Sequence, residues 1–367
     1  AVGLNALDVM TTAAQNTALG ACALSATTTG GCNTGVGYLS LTANTTGTNN
    51  VSVGRCALAA NTTAVNNTGV GYFALKSNTE GGCNVAVGRI SLQDNTTGAN
   101  NVAIGASASQ SNTTGGENTA LGKSTLTSNT TGCKNVAIGS GALLSNTEAN
   151  DNIAVGYQSL EQNTTGTSNV AIGRQALVAN ETGAANTAIG CGALDANTTA
   201  SNNTAVGTNA LGANTTGADN TAVGTASMAT NTTGFGNTAV GKNSLYTNNG
   251  NNNTAVGHEA LELNTSGASN VAVGRQALEA NTTGANNTAL GCGALAANTT
   301  ASSNTSLGRN SLFANQTGCC NTANGMGALT ANQSGDNNVA VGVLALGANI
   351  GADNNTAVGF CSLQANT

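Results

Sequence analysis

The sequence predicts an all-β protein, a parallel β-solenoid built as a β-roll of 22 coils. Three observations carry that reading. A 17-residue period runs through all 367 residues, one glycine recurs at the same place in every period, and the composition suits a stacked repeat better than a globule. Aromatic residues make up 2% and charged residues 7% of the chain, with no Pro and no Trp. Soluble globular domains carry about 25% charged residues, so the skew directs attention to repeats.

The period is plainest where Asn186-Thr187-Ala188-Ile189-Gly190 returns as Asn203-Thr204-Ala205-Val206-Gly207 and again as Asn220-Thr221-Ala222-Val223-Gly224. The consensus reads N-T-A-V-G-x-x-A-L-x-A-N-T-T-G-x-N, its places numbered 1 to 17. Glycine holds place 5 in all 22 coils, and a single interval, Gly241 to Gly257, is 16 residues. Place 2 is Thr, Val or Ile, and place 4 is Val, Ile or Leu except at Asn324. β-Branched residues two apart predict a short strand with places 2 and 4 facing inward. Place 9 is Leu except at Ser109 and Met228, and place 11 is mostly small, which predicts a second short strand over places 8 to 11. Place 10 varies freely (Lys76, Glu161, Tyr246, Phe313) and is expected to face solvent.

The remaining places are turn chemistry. Gly at place 5 suits a corner that needs positive φ or close backbone approach. Asn at places 1 and 12 tolerates left-handed geometry and, in a parallel stack, predicts side-chain amide ladders along the axis. Strands this short make no hairpin domain; stacking one coil on the next pairs their backbones instead, giving a rod on the order of 105 Å at about 4.8 Å per coil. The coil with the short interval is expected to lose its residue in the turn near Gly250, leaving the strands intact.

Places 3 and 8 are small in every coil. With places 2, 4, 9 and 11 inward, alternation turns 3 and 8 outward, where uniform smallness suggests close packing against another chain. The other reading is a narrow interior that admits only small residues.

The strand motif resembles a known family. Asn101-Val102-Ala103-Ile104-Gly105, followed by two variable residues and a small residue, resembles the S-V-A-I-G head repeats of trimeric autotransporter adhesins. The N-T-T-G form is also similar to repeat arrays in tail-fibre-like proteins of phages and large viruses. The resemblance covers the whole chain and implies a left-handed β-roll, with three chains side by side.

Residues 1–367 read as one continuous array. Neither end shows a cap, a signal peptide or a membrane span, which reads as a segment of a longer fibrous protein or as ends that stack on other chains into a filament. Gly173-Arg174-Gln175-Ala176-Leu177 recurs as Gly274-Arg275-Gln276-Ala277-Leu278, the mark of a duplicated six-coil block in a part whose property is length.

The ten cysteines, Cys22, Cys32, Cys56, Cys83, Cys133, Cys191, Cys292, Cys319, Cys320 and Cys361, fall only at places 6, 7, 16 and 17. No two share a place on adjacent coils, so same-place pairs lie about 9.6 Å or more apart, beyond disulfide reach. They are free corner thiols or candidate bridges to neighbouring chains, the latter implying an oxidising exterior. Cys319 and Cys320 have a strained vicinal bridge as a further option. With no C-x-x-C, no metal site is expected. Fifteen coils carry N-x-T/S at place 12: Asn44, Asn61, Asn95, Asn112, Asn129, Asn163, Asn180, Asn197, Asn214, Asn231, Asn264, Asn281, Asn298, Asn315 and Asn332. These are candidate glycosylation acceptors in a secreted chain, and N-T-T-G is also good turn chemistry in its own right.

Seven of nine basic residues sit at place 6: Arg55, Arg89, Lys123, Arg174, Lys242, Arg275 and Arg309. With a net charge of −6, a solvated corner is favoured over an anionic polymer site, and no nucleic-acid partner is expected. An enzyme is disfavoured. The one histidine, His258, falls at an exposed place, and the acidic residues read as scattered singly with no paired carboxylates on neighbouring coils. No cofactor is expected. The expected function is the structural shaft of an extracellular fibre, filament or surface appendage, at a cell or virion surface, its partners being copies of itself. An ice-binding solenoid and an adhesin head that binds a host or surface ligand are the alternatives. The paired threonines at places 13 and 14 count against the first, since neighbours in extended chain point opposite ways.

Overall fold

Each 17-residue period folds into one coil, a three-residue strand at places 2 to 4 followed by turns. The computed structural model describes residues 1–366, and its contacts divide the chain into two units, Ala1–Ala185 and Asn186–Thr367. The first unit holds β1 (Thr17–Leu19) to β10 (Val170–Ile172), and the second holds β11 (Thr187–Ile189) to β21 (Thr356–Val358). Within each unit successive strands pair in parallel and in register, Thr17 against Thr34 in one and Thr204 against Thr221 in the other. The protein is therefore an all-β parallel solenoid with 17-residue spacing, and no helix is present among the described residues.

The hydrogen bonding explains why so little strand suffices. Leu24 N–H donates to Ser40 O of the next coil (3.0 Å), while Cys22 N–H donates back to Leu4 O of the preceding one (2.8 Å). Thr28 N–H reaches Thr45 O at 3.1 Å in the turn after place 12. Bonds of this kind recur all round the coil, so turn residues stack axially as strands do, and the backbone is satisfied by its neighbours.

The second expected strand does not form. Places 6 to 11 are turn, because the residues at places 7 and 9 adopt positive φ: Leu177 lies at 53° and Leu194 at 52°. Left-handed backbone at a non-glycine residue costs on the order of 1–3 kcal/mol. Full burial of a leucine side chain returns about 1.5–3 kcal/mol, which makes the conformation tolerable when repeated in a stack.

The strand is also turned the other way from the expectation. Place 3 is the inward residue and places 2 and 4 lie outward, as in β10, where Ala171 is buried and Ile172 is 39% exposed. Ala188 and Ala193, at places 3 and 8, are both 0% exposed within the single chain. These places therefore do not meet a partner chain, and the narrow interior accounts for their smallness. A methyl added at Gly35 or Gly69 would lie 3.2 or 3.3 Å from Cγ of Leu24 or Leu58, so place 3 packs directly on the place 9 leucine of the coil before. Place 11 is only half-buried at Ala43, Ala60 and Ser77.

The shortened interval behaves as expected. β14 (Thr238–Val240) and β15 (Thr254–Val256) keep register, Thr238 against Thr254. The residue is lost after Asn248, whose Nδ2 reaches Gly250 O two residues on (2.9 Å), where Asn231 in the preceding coil reaches Gly234 O three residues on (3.0 Å).

Among the described residues two buried side-chain oxygens lack a hydrogen-bond partner, Thr27 Oγ1 and Ser109 Oγ. Both stand where the consensus is broken: Thr27 replaces Asn at place 12, and Ser109 replaces Leu at place 9. Ser109→Leu removes an unpaired hydroxyl and extends the leucine column between Leu92 and Leu126, both fully buried. It is expected to stabilise the protein by about 2–4 kcal/mol, read as a raised urea midpoint at unchanged slope.

Candidate functional surface

Three sets of side chains repeat along the coils and define what the surface offers. The first is the outward face of the strands. Place 4 places Ile104, Leu121 and Ile172 outward in the first unit and Ile189, Leu290 and Leu307 in the second, all more than a third exposed. Place 2 adds Val51, Ile153 and Val271 in the same class, with Thr in most other coils. No charged residue occurs at either place. In-register pairing aligns these side chains in columns within each unit, forming an uncharged face of β-branched and aliphatic residues.

The second set is the asparagines, which are interior. Asn61 Nδ2 donates to Asn44 Oδ1 of the preceding coil (2.9 Å) and to Ala64 O of its own coil (3.2 Å). Asn50, at place 1, donates from Nδ2 to the same Ala64 O (2.9 Å), and its N–H donates to Asn33 Oδ1 (3.0 Å). One place 15 carbonyl thus collects both asparagines of a coil, and each amide column runs coil to coil, as the ladder reading expects. All fifteen sequon asparagines have at most 1% of their surface exposed. At Asn61 the Nδ2 atom that a glycan would take is thus buried and already donates two hydrogen bonds. The sequon pattern serves the turn and the ladder.

The third set is the corners that flank the strand. All ten cysteines are free thiols; Cys56 is buried and the other nine are at least partly exposed, so Cys319 and Cys320 are not bridged to each other. Cys133 lines a shallow recess of about 350 Å³ with Gly116, Glu117, Lys134, Asn150 and Asp151. Its backbone N–H donates to Asn150 Oδ1 (2.7 Å), and its Sγ accepts from Gly116 N–H (3.4 Å). Cys319 repeats the pattern with Asp336 and Ser302. A polar atom at place 16 therefore caps the place 16 N–H of the coil before, which is a structural use for Cys, Asn and Asp there.

One acidic corner departs from the expectation of scattered carboxylates. Glu262 and Glu279 occupy place 10 on adjacent coils, and with Glu259 their oxygens lie within 4.8 Å of one another. The shared place was the signal in the sequence. His258 Nδ1 lies 3.2 Å from Glu259 Oε2, and Gln276 Nε2 donates to the same oxygen at 3.0 Å. Desolvation first, then repulsion from neighbouring carboxylates, raises both Glu262 and Glu279 above the ordinary glutamate value. Burial likewise raises Asp195. A carboxylate raised in the folded state contributes stability below its unfolded pKa and loses it as pH rises through the folded pKa. The double change Glu262→Gln with Glu279→Gln is expected to raise the thermal midpoint at neutral pH, the gain vanishing as pH falls below the ordinary carboxylate range. Melting curves across that interval check it.

Among the described residues no helix is long and apolar enough to cross a membrane. The chain matches no protein-family model and no curated protein.

Proposed function

We propose that this chain is a structural shaft that associates laterally with copies of itself, and that it acts through length and rigidity without catalysis. The observation that carries the reading is the outward face at places 2 and 4, which is uncharged, aliphatic at place 4 except at Asn324, and repeated once per coil. A partner that meets every coil identically must share the axial spacing, and a second copy of the array does. Exposed apolar faces of this extent mark association sites. The self-association expected from places 3 and 8 thus moves to places 2 and 4. The resemblance to adhesin heads and tail-fibre arrays supports three chains in an extracellular fibre at a cell or virion surface. The partly exposed cysteines beside the strand would then cross-link copies.

Sedimentation equilibrium of the reduced protein tests the reading. An oligomer is expected, dissociating in the variant Val206→Glu, Val223→Glu and Val240→Glu while its circular dichroism is unchanged. A parent protein monomeric at all concentrations, or a variant that stays associated, overturns it.

A second reading rests on the same face. Thr187, Thr204, Thr221, Thr238 and Thr254 occupy place 2 in five successive coils, beside Ile189, Val206, Val223, Val240 and Val256. Such an array of hydroxyls and methyls is what an ice-binding solenoid requires. Thermal hysteresis from a monomeric parent protein, lost in the same variant, favours this reading over the shaft.

A further inference from the structure

The surface carries few charges, and those of the two units are arranged differently. In the second unit the corner at places 6, 7 and 10 balances Lys242, His258 and Arg275 with Glu259, Glu262 and Glu279. In the first unit the same corner alternates aromatic and cation on four successive coils, Tyr38, Arg55, Tyr72 and Arg89. Tyr72 stacks on Phe73 with ring centroids 4.0 Å apart and planes at 23°. The Arg55 guanidinium lies 5.8 Å from the Tyr72 centroid, and the Lys76 ammonium 4.6 Å from that of Phe73. Among the described residues none of Arg55, Lys76 and Arg89 has a carboxylate within 4.0 Å, and Asp94 is engaged by Gln93 at 3.1 Å. Three cations are therefore gathered on one corner, two of them positioned by ring faces and none neutralised by an ion pair, in a chain of net charge −6.

We propose that this corner binds an anionic polysaccharide, whose sulfate or carboxylate groups are met by Arg55, Lys76 and Arg89 along the stack. Successive coils rise by about 4.8 Å, so Arg55 and Arg89 stand about 9.6 Å apart and offer a line of charge suited to an extended polyanion. The stacked rings argue for a charged chain over one read by stacking. Phe73 has Tyr72 and Lys76 against it, and Tyr72 has Phe73 and Arg55, so the pair is occupied in holding cations. Single-stranded nucleic acid needs open ring faces. The proposal is independent of lateral association, which uses the strand face.

The experiment is a binding titration of the full chain with heparin, polygalacturonate, dextran and a single-stranded oligothymidylate, repeated over a range of salt. Heparin or polygalacturonate is expected to bind, whichever does so showing whether sulfate or carboxylate is preferred, with dextran inert. The logarithm of Kd should rise with that of salt at a slope of about three, one released counterion per cation. The variant Arg55→Gln, Lys76→Gln and Arg89→Gln should weaken binding by about tenfold or more, since charge supplies the affinity. Arg89→Glu alone, at an exposed position, should weaken it in the same direction, and Lys242→Gln with Arg275→Gln should leave it unchanged. Failure of both polyanions to bind at low salt, undiminished binding by the first-unit variants, or oligothymidylate bound as tightly as either polysaccharide overturns the proposal.

Discussion

Gly207→Val is expected to unfold the second unit, costing about 4 kcal/mol or more, while removal of residues 208–224 leaves the remaining coils folded. Gly207 has φ 138°, outside what a β-branched residue tolerates. A Cβ built there meets the carbonyl of Gly224, the glycine directly above, at 2.5 Å from O and 2.6 Å from C. That carbonyl is itself engaged, accepting from Ser227 N–H at 3.3 Å, so yielding to the new side chain disturbs the corner of the next coil. Deletion of residues 208–224 removes one whole period and restores Gly207 as a corner under the following coil. The unit should shorten by about 4.8 Å. Place 15 supplies the contrast. Its backbone is not in the left-handed region; a Cβ at Gly217 presses on Gly234 O and Asn214 Oδ1, but Ala64, Ala149, Ala200 and Ala301 stand at this place naturally, so Gly217→Ala should cost less than Gly207→Val. Urea unfolding of the three variants decides the matter; a harmless Gly207→Val beside a collapsed deletion would contradict the stacking account.

The second large effect is expected at the asparagine ladder. Asn214 Nδ2 donates to Asn197 Oδ1 (3.0 Å) and Gly217 O (2.9 Å), and its Oδ1 accepts from Asn231 Nδ2 (2.9 Å). Asn214→Asp keeps the shape and removes both donors, setting a buried carboxylate against two acceptors. A loss of about 4 kcal/mol or more is expected at neutral pH, since an unpaired buried charge is far costlier than a missing neutral bond. The new carboxyl has its folded pKa raised by burial and repulsion, so acid should narrow the gap and alkali should not. Thr216→Ala, two residues on and exposed, should change stability by less than about 0.5 kcal/mol. Denaturation of both variants at acid and neutral pH checks size and direction.

How far the sequence discloses this fold follows from those residues. The period, the place 5 corner, the parallel register and the asparagine columns were legible, because each imposes one residue type on one place. Which side of the strand faces inward was not. Alternation says which residues share a side, and β-branched residues at places 2 and 4 point to the core by type alone. The interior is too narrow for them, and Gly35 and Gly69 at place 3 were the available sign. The second strand was misread for a related reason. Leucine at positive φ is rare, so a column of leucines suggests extended chain, and only the stacked backbone bonds make the left-handed turn affordable. Of the candidate surface, the cysteine corners are legible, and so is the shared place of Glu262 and Glu279; the approach of Glu259 to them is not, since it joins places 7 and 10.

The amide ladders carry one more consequence. Main-chain bonds between coils run both ways along the axis: Thr17 N–H donates forward to Asn33 O (2.8 Å), and Gly20 N–H donates back to Val2 O (2.8 Å). The buried asparagine side chains of places 1 and 12 run one way only. Asn61 donates to Asn44 and Asn50 to Asn33, always from the later coil to the earlier. Their dipoles therefore add within a unit instead of cancelling, with the positive pole toward the low-numbered coils, much as peptide dipoles sum along an α-helix. A nearly uncharged array thereby acquires polarity along its length. Electrostatics alone would set two such arrays side by side head to tail, and any association of copies pointing the same way must overcome that preference through contacts on its apolar face.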